Sequence, residues 1–229
     1  MLPVSVPAMV VIQFKGANAN RSAEVTFSQA ASGEDLVLKL SNISSSDVLV
    51  QSDVLTSTFF TLAGKPTLTP KSVILADGST VLFGSSGPGG NVGREWAYKQ
   101  GLTGAPGGAQ SGVSSAGLGL FGSGDLFPGY QFTHNPPDGI GYGITSAGDN
   151  PSTGQRAVTG SNPLIKDTVV LTLGVPCGYT LTVVDDVIAQ YGTSLSDPAI
   201  VFIPEPGSAV LMLAGMAMVG MTMRRRVRS

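Results

Sequence analysis

The chain has one cysteine, Cys177, and one histidine, His134. A disulfide framework needs paired thiols and a structural zinc site built from Cys and His needs several ligands, so both are excluded. Charged residues make up 12% of the chain, about half the roughly 25% of an average soluble domain, and 42% of it is apolar. It is therefore no disordered polyelectrolyte. Residues 1–203 carry nine basic and fourteen acidic groups, a net charge of about −5, so no broad basic face exists to neutralise phosphates and nucleic acid is excluded as a partner. The 229 residues suffice for one all-β domain or two small ones, either able to bury roughly two-thirds of its unfolded surface.

What is present begins at the C-terminal end. Residues 207–223 form a run of seventeen without a charge, and a helix of that length spans about 26 Å, close to a hydrocarbon core of roughly 30 Å. The run is apolar on every side, so lipid suits it better than a half-wet protein surface; a core helix buried at the chain end is the alternative, and it would ordinarily show polar positions at helical period. Arg224, Arg225, Arg226 and Arg228 follow at once. These can snorkel to headgroups, and the positive-inside bias places them in the cytoplasm with the rest of the chain on the other side.

Export requires a leader. Residues 1–14 are apolar apart from a few polar positions, and Ala17-Asn18-Ala19 fits an A-x-A cleavage site, but no basic segment precedes them and Pro3 and Pro7 interrupt the stretch. The pattern predicts that residues 1–19 are a weak leader or the end of a longer one; a first strand of the fold is the alternative.

Between these ends the signal is β. Residues 23–27 and 36–40 alternate and are joined by turn chemistry at 31–34, residues 54–62 read as a strand ended by Gly64 and Pro66, and residues 71–75 and 79–83 are expected to pair across Asp77-Gly78. Strand signals return at 167–173, 179–184 and 187–191. Residues 84–160 hold 21 of the 31 glycines and no long periodic segment. Their spaced aromatics, Trp96, Tyr98, Tyr130 and Tyr142 among them, call for burial, so the expected arrangement is a long Gly-rich insertion packed on the sheet. The expected fold is an antiparallel β-sandwich over residues 20–202 with that insertion, plus one transmembrane helix within 203–229.

Motifs that carry chemistry are few. Gly117-Leu118-Gly119-Leu120-Phe121-Gly122 spells GxGxxG, but no strong strand precedes it and Pro128 forbids a helix after it, so a nucleotide-binding role is not expected. His134 lies in Thr133-His134-Asn135-Pro136-Pro137, a turn-like stretch, and there is no G-x-S-x-G elbow. Asp138, Asp149-Asn150 and Asp185-Asp186 could offer oxygens to Ca²⁺, though Asx residues beside Gly and Pro serve more often in turns. Five of the seven methionines fall in the C-terminal apolar run, where lipid packing accounts for them better than thioether copper ligation. Cys177 lacks a partner thiol within the chain, leaving burial or intermolecular chemistry. No cofactor, metal ligand set or catalytic residue is expected.

Ile203-Pro204-Glu205-Pro206-Gly207-Ser208, the apolar run and the arginines stand in fixed order. Together they resemble the PEP-CTERM sorting signal of Gram-negative bacteria, which is cut by a membrane protease of the exosortase family. The prolines keep Glu205 out of helix, as a protease substrate requires, and the apolar run with its arginines holds that peptide at the outer boundary of the membrane. Upstream, Ser46-Asp47-Val48-Leu49-Val50, Gly93-Arg94-Glu95-Trp96-Ala97-Tyr98, the 117–122 string, Tyr142-Gly143-Ile144-Thr145-Ser146-Ala147-Gly148-Asp149 and Gln190-Tyr191-Gly192-Thr193 are similar to one family of exosortase-dependent surface proteins. The resemblance implies an inner-membrane precursor, then a cell-surface or extracellular matrix protein in a system often encoded beside exopolysaccharide synthesis. It implies Pro204, Glu205 and Pro206 as the sorting site and no activity for the body. A structural or adhesive role is expected, and the alternative is a carbohydrate-binding module on exopolysaccharide with Trp96, Tyr98, Tyr130 and Tyr142 as stacking faces.

Overall fold

The computed structural model describes residues 10–29 and 33–202. Among them the secondary structure is strand and short 3₁₀ turn. In chain order the strands are β1 (Val10–Asn18), β2 (Arg21–Gln29), β3 (Asp35–Asn42), β4 (Leu55–Leu62), β5 (Thr69–Leu75), β6 (Thr80–Leu82), β7 (Ala97–Gln100), β8 (Ser111–Ser114), β9 (Ile144–Thr145), β10 (Leu164–Lys166), β11 (Thr168–Gly174), β12 (Val184–Tyr191) and β13 (Ala199–Val201).

The first sheet has the order β1-β2-β3-β11-β5, and every pair in it is antiparallel. Its register follows from alternation. Val25 and Phe27 of β2, Leu36, Leu38 and Leu40 of β3, and Val169, Leu171 and Leu173 of β11 are fully buried and alternate with more exposed neighbours, except at the strand ends, where Ser41 and Thr168 are buried too. Because successive side chains point to opposite faces, a slip of one residue would expose all of these at once, so the pairing is strongly specified.

The second sheet runs β13-β12-β4-β9-β10-β6, with β8 on β4 and β7 on β8. All its pairs are antiparallel except β9 with β10. The two sheets bury one apolar cluster between them, to which the first contributes Phe27 and Leu38 and the second Phe60 and Leu62. Phe27 and Phe60 meet edge to face at 5.0 Å between ring centroids, a favoured geometry for aromatic pairs.

Strand β4 is buried on both faces. Phe60 enters the shared core, whereas Phe59 points the other way into a second cluster with Ala97, Leu102, Ala105, Ala109, Phe121 and Ile188. Most of that cluster comes from the Gly-rich stretch. A strand covered on both sides reads as a near-continuous run of buried residues, and its hydroxyls must find internal partners. Thr56 Oγ1 donates to the Gly192 carbonyl at 2.7 Å, Thr58 Oγ1 to the Ile188 carbonyl at 3.0 Å, and the Ser57 and Ser114 hydroxyls share a bond of 2.5 Å.

Four expectations are revised by this architecture. The Gly-rich region does not only pack on the sheet: it supplies β7, β8 and β9 to the second sheet and Trp96, Val113, Phe127, Tyr142 and Ile144 to the main core. The segments flanking Asp77-Gly78 do not form a hairpin, because β5 pairs with β11 in the first sheet and β6 with β10 in the second. The turn, closed by Ser79 N–H to the Ala76 carbonyl at 3.0 Å with Gly78 at φ 83°, carries the chain from one sheet to the other. Residues 179–183 are not a strand. They cross between the sheets, held by the Gln29 side chain, which accepts from Leu181 N–H at 2.6 Å and donates to the Tyr179 carbonyl at 3.0 Å. A bulge between Asp185 and Ile188, with Asp186 at φ 53°, then joins what alternation had split from 187–191 into one strand.

The fourth concerns the leader. Residues 10–18 form β1, paired with β2 along its whole length from Val10↔Gln29 to Asn18↔Arg21. Phe14 packs on Phe27 and on Phe202 with centroids 6.2 and 6.0 Å apart. A cut after Ala19 would strip this edge strand and uncover both rings, so the boundary expected between residues 19 and 20 falls inside a hairpin of the sheet. Residues 1–9 lie outside the described residues. The transmembrane helix expected within 203–229 lies outside them too; among the described residues no helix is long and apolar enough to cross a membrane.

Candidate functional site

The sorting site expected at Pro204, Glu205 and Pro206 and the orienting Arg224, Arg225, Arg226 and Arg228 lie outside the described residues. What the structure describes is the platform from which that segment leaves. The loop before β13 is fixed from within: the buried Gln190 amide donates to the carbonyls of Tyr191, Asp197 and Ser194 at 2.9, 2.9 and 3.2 Å, and Asp197 Oδ2 accepts from Thr193 and Ser194 N–H at 2.9 and 3.0 Å. The chain then runs as β13 against β12, with Ile188 opposite Val201, and ends on a bond from Phe202 N–H to the Val187 carbonyl at 3.0 Å. On its other side Ile200 and Phe202 lie so close to β1 that a Cβ at Gly16 would collide with Ile200. One residue, Ile203, separates this anchored end from Pro204.

The four aromatics proposed as stacking faces do not line an open groove. Trp96 and Tyr142 are fully buried, Tyr98 is 6% exposed, and only Tyr130, 49% exposed, offers a ring to solvent. Trp96 and Tyr142 belong to the main core, which is where large apolar area stabilises most. Burial accordingly pushes the Tyr98 hydroxyl up to about 12, partly opposed by a hydrogen bond with Ser111. The Tyr142 hydroxyl also rises to about 12, chiefly through burial and further through the Glu95 charge, against its bond to the Ser85 carbonyl at 2.6 Å.

Around Tyr130 the sequence concealed a built corner. Phe132, 40% exposed, stacks on Tyr130 at 6.3 Å and on Tyr142 at 5.9 Å. The buried Glu95 carboxylate accepts from the N–H groups of Phe132 and Thr133 and from the Thr133 hydroxyl. Asn91 Oδ1 accepts from Gly93 and Tyr130 N–H at 3.0 and 3.1 Å. A charged side chain satisfied by backbone donors rigidifies a loop without leaving the carboxylate unpaired. Glu95 carried no local signal of this, since its partners lie 37 and 38 residues away.

The remaining candidates resolve into turns. His134 is exposed and takes part in none of the side-chain hydrogen bonds among the described residues. Among the described residues no three His, Cys, Asp or Glu side chains converge as a metal site. Asp149 is buried and accepts from Val48 N–H at 2.9 Å, Asp138 is exposed, and Asp185 and Asp186 are exposed at the bulge in β12. Residues 117–122 make a tight turn in which Leu120 and Phe121 N–H both donate to the Gly117 carbonyl at 2.9 Å. Cys177 is exposed.

Two of the five strings that carried the upstream resemblance pack together. Ser146 Oγ donates to the Ser46 carbonyl at 2.6 Å, and Gly148 lies against the Ser45 backbone so tightly that no Cβ fits. Strings 46–50 and 142–149 thus meet across about 100 residues of sequence.

Comparison with curated proteins and with solved structures gives no match. A family model for the PEP-CTERM protein-sorting motif matches residues 202–226. This motif implies processing by an exosortase, a membrane protein, and export to the cell surface from a membrane-anchored precursor. From the residue at which β13 is tied to β12 onward, the chain carries a PEP-CTERM protein-sorting motif.

Proposed function

We propose that this is a surface protein whose β-sandwich body serves a structural or adhesive, non-enzymatic purpose, and that an exosortase cuts the precursor near Pro204-Glu205-Pro206. The observation that supports this most is the sorting motif itself, which matches from Phe202, a residue whose N–H is bonded to the Val187 carbonyl. Extended, proline-held peptide suits a protease cleft, and the following apolar run holds it beside the membrane. The body adds buried Glu95 and Gln190 side chains that anchor loops, and aromatics that are largely core.

Mass spectrometry of the exported protein's C-terminus tests the sorting half. The expected wild-type result is an end near residue 205, and Glu205→Gln is expected to leave uncut precursor in the membrane fraction. Exported protein that still ends at Ser229 would refute cleavage. A pull-down with exopolysaccharide tests the body. The carbohydrate alternative now rests on the exposed Tyr130 and Phe132 pair alone, and retention abolished by Tyr130→Ala would favour it over a purely structural role.

A further inference from the structure

We propose that Phe202 is shared between the fold and the sorting protease, so that β13 has to leave β12 and β1 before an exosortase can close on Pro204-Glu205-Pro206. This rests on the cleavage proposed above and adds what controls its rate.

Docked, the body withholds the approach to the site. Phe202 is 6% exposed, its N–H is bonded to the Val187 carbonyl at 3.0 Å, and its ring packs on Phe14 of β1 at 6.0 Å between centroids. Ile200, 5% exposed, lies beside Gly16 of the same strand. Pro204 follows Phe202 by two residues, a reach of at most about 7 Å. A protease cleft takes its substrate as extended backbone on both sides of the bond to be cut, and it claims the same peptide N–H and C=O groups that a neighbouring strand claims. The residues that precede a cut after Glu205 are Phe202, Ile203, Pro204 and Glu205. The first of these is held in the sheet, and the match to the sorting motif begins on it.

Release of this residue is a local event. Strand β13 is three residues long and, among the described strands, is hydrogen-bonded to β12 alone. The loop before it is held separately: the Gln190 amide donates to the Asp197 and Pro198 carbonyls at 2.9 and 3.3 Å, and Tyr191 N–H to the Pro198 carbonyl at 3.1 Å. Pro198 is therefore a fixed hinge from which β13 can peel while β12 stays paired with β4. Peeling frees residues 199–203, about 17 Å of extended chain ahead of Pro204. Short edge elements with few buried partners open at less cost than the whole domain. The cut then runs at the rate for open chain multiplied by the fraction of molecules that are open.

The full-length precursor is followed in membrane vesicles that contain an exosortase, with mass spectrometry of its C-terminus as the readout. Ile188 and Val201 lie directly opposite one another on β12 and β13 and line one surface hollow. Opposed positions on antiparallel strands fall within the Cα separation that a disulfide spans. Ile188→Cys with Val201→Cys in a Cys177→Ser background, once oxidised, is expected to be cut at least tenfold more slowly than Cys177→Ser alone. Reductant is expected to bring it back to within twofold. Phe14→Ala removes the ring behind Phe202 and leaves residues 199–206 unaltered, so it is expected to be cut at least threefold faster. Leu38→Ala, a core truncation two strands away from β1, is expected to keep the wild-type rate. A crosslinked protein cut as fast as its reduced form overturns the gate and leaves the cleavage reading standing, as does equal acceleration by Phe14→Ala and Leu38→Ala. Wild-type precursor that is never cut overturns the cleavage reading, and this inference with it.

Discussion

The first sheet and the Gly-rich stretch of residues 84–160 are both buried parts of one core, yet they are specified in different ways. In β2, β3 and β11 each strand declares its inward face by alternation, and neighbouring strands need only match that pattern. In the Gly-rich stretch the chain turns too often for any periodicity to build up. Its path is fixed by single contacts between distant residues: Phe127 N–H donates to the Trp96 carbonyl at 2.9 Å, Val92 N–H to the Val73 carbonyl at 3.0 Å, and Arg94 N–H to the Tyr130 carbonyl at 3.1 Å. Alternation is redundant and tolerates local change. Point contacts are not.

The largest effect expected from this contrast is at Trp96. It is fully buried within the main core although it comes from the irregular stretch, so Trp96→Ala is expected to cost about 3–5 kcal/mol, the range for aromatic truncation in a packed interior. Leu38→Ala in the first sheet, also fully buried, should cost about 2–5 kcal/mol. Chemical denaturation followed by far-ultraviolet circular dichroism should show a single transition displaced by either change. Two separated transitions, one moved by each variant, would mean that the Gly-rich stretch is an independent layer and not part of the same core.

A smaller effect separates glycines that serve close approach from those that serve turns. A Cβ on Gly93 would strike the Pro128 carbonyl oxygen, an atom of backbone that cannot swing aside. Gly93→Ala is therefore expected to cost about 1–3 kcal/mol through overpacking and to raise proteolysis in residues 128–141. Gly78 has open space around its Cβ position but a φ of +83°, so Gly78→Ala should cost about 1–2 kcal/mol through backbone strain alone, without local proteolysis. Equal protease sensitivity in the two variants would erase the distinction.

The same physics explains what was legible beforehand. Val25 and Phe27, Leu36 to Leu40 and Val169 to Leu173 displayed their strand faces in the sequence because each is buried on one side only. The Asp77-Gly78 turn was visible as a turn, but which sheets it joins depends on β11 and β10, nearly ninety residues on. Trp96 and Tyr142 called for burial by their apolar size, with stacking on a ligand as the alternative, and they are buried; which strands cover them is set by β4 and by β7 to β9, whose pairing no local pattern announces. The sorting motif was legible because its signal is local: two prolines, a charge-free run and a cluster of arginines stand in fixed order along one short segment, and the family model matches there, over residues 202–226.

The smallest expected effect tests whether charge adds to the specification of the first sheet. Lys15 and Glu24 sit directly opposite one another on β1 and β2, and Nζ lies 2.8 Å from Oε2. Burial pushes the Glu24 carboxyl up, but hydrogen bonds from Lys15 and Gln13 and the charges of Lys15 and Lys39 together outweigh it and hold the group below its ordinary 4.5. A carboxyl depressed in the folded state adds stability that is fully present above 4.5 and is lost as pH falls through the folded value. Glu24→Gln should remove that part of the acid-limb slope in denaturation measured from pH 6 downward, with less than about 1 kcal/mol lost at pH 7 because the lysine is largely solvated. A loss comparable to Leu38→Ala would show that the edge hairpin is registered by its ion pair. An unchanged acid limb would show that the apolar ladder of Ile12, Phe14, Val25 and Phe27 sets the register alone.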